Sequence, residues 1–142
     1  MRYLIPAARI LLGLVFFVFG LNGFFHFIPA PPPPGAAGAF AGALFASGYF
    51  FPLLKAVETL SGLALLSGRF VPLALTALAP IVVNILFFHA FLQPAGLALP
   101  VVLLVLGVFL AWSYRSTFAP LLNANAQPVA AWASPKASTA RA

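Results

Sequence analysis

Glu58 is the only acidic residue in a chain of 142, and it stands inside an apolar run. Lys55 lies three positions before it, one helical turn away on the same face. An ionised carboxylate among apolar residues is costly, so it needs a partner, a water-filled pocket or a proton. Two kinds of behaviour suit the pair. It can handle a proton beside a bound group, or it can simply neutralise itself near the membrane boundary, with the lysine stem snorkelling outward. Four more polar residues interrupt apolar segments: Asn22, His26, Asn84 and His89. Asn22 and His26 are four apart and share a helix face. Asn84 and His89 are five apart, roughly 140° around an ideal helix, and converge only if Pro80 adds twist. Together Glu58, Lys55, His89, Asn84, Asn22 and His26 make the candidate polar site. The asparagines also suit plain interhelical hydrogen bonding, and His26 suits an interfacial position. No residue set defines a catalytic reaction, and no metal site is expected. The chain has no cysteine, which excludes disulfides, thiol chemistry and thiolate-held clusters.

These residues must be positioned by membrane-embedded elements. The chain is 63% hydrophobic and 6% charged, with a mean hydropathy of +1.10, too apolar to cover its own surface in water. The net charge of +6 does not point to nucleic acid, because the seven basic residues are spread singly rather than clustered with stacking side chains. Lone basic residues between apolar runs act instead as orientation signals in a bilayer.

The pattern predicts an all-α integral membrane four-helix bundle with a short interfacial or re-entrant segment between helices 1 and 2. The first span is expected over residues 5–28. Its apolar run is longer than the core of a signal peptide and is followed by phenylalanine and proline rather than a small-residue cleavage site. Pro31 to Pro34 then form a stiff connector. Residues 36–50, apolar but rich in Gly and Ala, are too short to cross and read as the interfacial helix. The second span is expected over Phe51 to Ser67, closed by Gly68-Arg69, and the third over Phe70 to Phe91 with Pro80 inside it. A tight turn at Gln93 to Gly96 leads to the fourth, Leu97 to Tyr114, which ends on an aromatic anchor and Arg115. The transmembrane domain is thus placed at 1–118 and a disordered tail at 119–142.

With four spans, Arg2, Arg9, Arg69, Arg115, Lys136 and Arg141 fall on one side and only Lys55 near the other. The positive-inside rule therefore puts both termini in the cytoplasm. In this arrangement Asn22, His26, Lys55, Glu58, Asn84 and His89 all lie in the outer third of the membrane, on three helices.

Three stretches carry a family resemblance. The first helix reads Arg9-Ile10-Leu11-Leu12-Gly13, then Phe16 and Gly20. The second reads Glu58-Thr59-Leu60-Ser61-Gly62, then Leu65-Leu66-Ser67-Gly68-Arg69. The third closes with Asn84-Ile85-Leu86-Phe87-Phe88-His89-Ala90-Phe91. Over roughly residues 5–115 the chain resembles the DoxX family of small four-helix bacterial membrane proteins. The family name comes from a relative of the membrane part of a thiosulfate:quinone oxidoreductase, and some members are linked to redox partners in oxidative-stress systems. The resemblance implies a bacterial inner-membrane component of a redox or quinone-linked system, with Glu58 and His89 at the family's acidic and histidine positions. A quinone is the cofactor this leaves room for, and none is required by the residues themselves. The partners implied are the lipid bilayer, a redox partner protein and a second copy of the chain. Two other classes remain open: a small proton-coupled solute carrier or channel with Glu58 and His89 as a relay, and a structural membrane anchor.

Overall fold

A computed structural model describes residues 3–126 of the chain. Its helices are α1 (Leu4–Phe25), α2 (Gly35–Ala46), α3 (Phe50–Ser67), α4 (Val71–Phe91), α5 (Ala98–Ser113) and α6 (Arg115–Phe118), with single 3-10 turns at Pro94–Gly96 and Ala119–Leu122. No strand occurs among the described residues. The expected tail begins in the second of these 3-10 turns, and its part from residue 127 onward, with Lys136 and Arg141, lies outside the described residues, as does Arg2.

α1, α3 and α4 are each long and apolar enough to cross a bilayer. α5 is shorter. Sixteen residues reach about 24 Å at about 1.5 Å per residue, against a hydrocarbon core of about 30 Å. Past Tyr114 the chain turns away by 76° into Arg115–Leu122, a bent pair that counts as a fourth span when the two are taken as one. The helix expected over Leu97 to Tyr114 is thus present within one residue at each end, and the bend lies beyond it. α2, twelve residues long, is the short helix expected between the first two spans.

Local chemistry explains the ends. α1 stops at Phe25, three residues before the expected end at residue 28, because Asn22 clasps the chain as it reverses. Its Oδ1 accepts from the Ile28 N–H at 2.6 Å and its Nδ2 donates to the Ile28 carbonyl at 3.2 Å. His26 between them takes the left-handed conformation, with φ 52°. α3 ends on Gly68 at φ 73°, a C-terminal cap whose N–H bonds back to Leu65. Pro80 deprives the Thr76 carbonyl of its helical donor, while Pro72 and Pro100 sit in first turns where no donor is lost.

The bundle is organised by α1 and α3, which run antiparallel with their backbones almost touching. A Cβ on Gly62 would stand 2.9 Å from the Gly13 carbonyl oxygen, and one on Gly20 would stand 3.0 Å from the Thr59 Cα. Arg9 lies against Gly68 at one end of this seam and Lys55 against Gly23 at the other. Small residues at such contacts let helices approach where lipid gives no hydrophobic drive for association. α4 and α5 pack on this pair around Leu12, Phe16, Leu65, Leu75, Leu78, Val82, Leu103 and Leu110. Leu60, Leu63, Leu73, Val105 and Val108 are exposed, as the lipid-facing side of a membrane bundle requires.

Candidate functional site

The Lys55–Glu58 pair forms as its spacing predicts. Lys55 Nζ donates to Glu58 Oε2 at 2.7 Å, with the lysine side chain 17% exposed and the glutamate 4%. Three neighbours set the geometry. Gly23 of α1 leaves the channel through which the lysine stem passes, and a Cβ there would strike it. The Phe51 ring centroid lies 5.4 Å from the ammonium, a cation–π contact. Thr59 turns its hydroxyl back to the Lys55 carbonyl at 2.7 Å, which frees it from seeking a partner across the seam where Gly20 packs. The Phe51 ring in turn meets Phe45 of α2 edge-on at 5.4 Å, so the short helix packs against the ring beside the ammonium.

The other four candidates do not join it. Asn22 spends both ends of its amide on Ile28. His26 is exposed at the end of α1. Asn84 is exposed on α4 and makes no side-chain hydrogen bond among the described residues. Asn84 and His89, five apart and roughly 140° around an ideal helix, differ in burial, Asn84 being exposed and His89 half-buried. His89 is half-buried and bonded within its own helix, Nδ1 to the Ile85 carbonyl at 2.9 Å. A carbonyl only accepts, so the proton sits on Nδ1. The far edge of the ring rests on Gly96, where a Cβ would come within 2.8 Å of Nε2. The two titratable groups also sit at different distances from the ends of their own helices. Glu58 stands eight residues inside α3 and His89 two residues from the end of α4, about 12 Å and about 3 Å along their axes.

Two buried polar groups lie outside the expected set. Ser61, one turn beyond Glu58, is buried at 6% exposure and lines a cavity of about 240 Å³ between α3 and α4, with Ala64, Phe70 and Ala77. The signal was present: Ser61 repeats the i,i+3 step that links Lys55 to Glu58. Arg9 carries the one buried side-chain nitrogen among the described residues without a hydrogen-bond partner, its Nε. No group of three or more His, Cys, Asp or Glu suited to a metal occurs among the described residues.

A helical bundle that crosses the bilayer several times, sealed by glycine contacts and holding one buried ion pair, defines a small multi-pass membrane protein. Its lineage follows from comparison with known families: the chain belongs to the DoxX family, whose model matches residues 4–90. The match runs from the start of α1 to the last turn of α4, so α5 lies beyond it. Neither the curated proteins nor the solved structures gave a match.

Proposed function

We propose that this protein is the membrane component of a redox or quinone-linked system in a bacterial inner membrane, with both termini cytoplasmic and the Lys55–Glu58 pair as its working site. The observation that carries the reading is the burial of the chain's only carboxylate, 3% exposed, within a span. A bundle closed by apolar and glycine packing has no structural need of that group. Replacing a buried pair by apolar side chains of similar volume is often neutral or stabilising. A carboxylate buried there without a packing role therefore speaks for use.

The donor set suits a quinone. The Lys55 ammonium, the more exposed member of the pair, is a donor for a quinone carbonyl, and the Phe51 and Phe45 rings offer flat apolar walls beside it. A bound quinone would supply two-electron, two-proton redox chemistry, with the electrons coming from a redox partner protein. Glu58, which accepts from Lys55 through Oε2, is the carboxylate that would exchange a proton with that ammonium. The relay reading, a carrier through Glu58 and His89, has weaker support, since His89 is tied to its own helix.

Purification of the full chain in mild detergent, followed by lipid extraction, tests the proposal. A quinone should be retained, and Glu58→Gln should lower its occupancy while the bundle stays folded. Retention of no quinone, or occupancy unchanged by Glu58→Gln, overturns it. Loss of substrate-coupled proton uptake in proteoliposomes by that variant would favour the carrier, and no effect in either assay the anchor.

A further inference from the structure

Because Glu58 is bonded to Lys55, the arginines at the opposite end of the bundle have no acidic side chain anywhere in the chain to pair with. Arg9 is packed into the seam against Gly68, whereas Arg115 is exposed and held only by Trp112. Arg115 stands at the 76° elbow after α5, where its Nη1 donates to the Trp112 carbonyl at 3.2 Å and its guanidinium lies 5.4 Å from the Trp112 ring centroid. Trp112 is 70% exposed, as an interfacial tryptophan is.

Beside this elbow a groove of about 340 Å³ opens between α4 and α5. Leu75, Ala79 and Val82 form one wall, Gly107 and Ala111 the other, and Phe118 stands at the arginine end. Gly107 opens it, since nothing lies within 4 Å of where a Cβ would be. The one polar side chain on the wall, Thr76, turns its hydroxyl back to the Pro72 carbonyl at 2.9 Å. The groove is therefore hydrocarbon-lined, and Arg115 falls in the chain between its end residues Ala111 and Phe118.

We propose that the groove and Arg115 bind one anionic phospholipid, its acyl chain between α4 and α5 and its phosphate against the guanidinium. Charge selects this occupant. A zwitterionic lipid brings its own ammonium and leaves Arg115 uncompensated. A quinone head carries no charge. A second copy seated there would bring another cationic end with no carboxylate to offset it. A net negative headgroup supplies the missing counterion.

The test uses the full chain with its other tryptophan removed (Trp132→Phe), reconstituted with brominated lipids that quench Trp112 fluorescence. A brominated phosphatidylglycerol should associate about fivefold more strongly than a brominated phosphatidylcholine of the same chains, the factor one basic residue contributes near a membrane surface. Arg115→Gln should bring the two to parity, and Arg115→Lys, which keeps the charge, should retain the preference. Gly107→Leu should fill the groove and reduce quenching by both lipids. Parity in the unaltered protein, a preference that survives Arg115→Gln, or quenching unmoved by Gly107→Leu would each overturn the site. So would exclusion of both lipids by a dimer, or displacement of both by a co-purified quinone.

Discussion

Removing Lys55 while keeping Glu58 is the sharpest perturbation available. In Lys55→Met the stem still fills the channel beside Gly23, but the carboxylate at 4% exposure loses its ammonium partner at 2.7 Å. Breaking a buried pair from one side costs about 3–5 kcal/mol, because the remaining charge stays desolvated. Glu58→Leu leaves the opposite defect and should cost less, since an ammonium already 17% exposed can swing outward on its stem. The double change, Lys55→Met with Glu58→Leu, removes both charges at similar volume and should return stability to the parent value or above it. The three variants thus define a cycle with a coupling free energy of at least about 2 kcal/mol. Equilibrium unfolding in mixed micelles, followed by tryptophan fluorescence, measures it. If Lys55→Met unfolds within about 0.5 kcal/mol of the parent, or the double variant is as unstable as the two singles added, the ion pair is not a buried one and the reasoning fails. A stable double variant that no longer supports growth under redox stress would assign the pair to function.

Gly20→Ala places a methyl against the Thr59 backbone and should cost about 1–3 kcal/mol in the same unfolding assay, whereas Gly42→Ala, which meets open space inside a helix, should be neutral or gain up to about 1 kcal/mol. Asn22→Ala removes both bonds to Ile28, and hydrogen exchange at the Ile28 amide should speed up about thirtyfold, each such bond being worth about 1 kcal/mol. Reporter fusions at Arg69 and after Arg115 should read cytoplasmic and one near Gly35 external, and a cytoplasmic signal near Gly35 would undo the topology.

What the chain declares by itself is local or compositional. An excess of apolar residues decides the solvent, and the lengths of the runs decide the number of crossings. The step from Lys55 to Glu58 is set by helix geometry alone, so the ion pair was legible before any tertiary contact was known. Gly68 and the prolines at 31–34 likewise mark their own breaks. Contacts between elements were not legible in this way. Asn84 and Asn22 are the same residue type at matching ends of spans, yet one faces outward and the other closes a reversal onto Ile28. Which way each side chain faces depends on how its helix is rotated against the next. For α1 against α3 that rotation is decided by where small residues allow the closest approach, here Gly13, Gly20 and Gly23 of α1. Nothing in the sequence around Phe70 marks it for φ 56°; the tight passage from α3 to α4 demands it. The elbow at Tyr114 has no proline or glycine to announce it, so the groove above it belongs to the packing of α5 against α4 rather than to any motif.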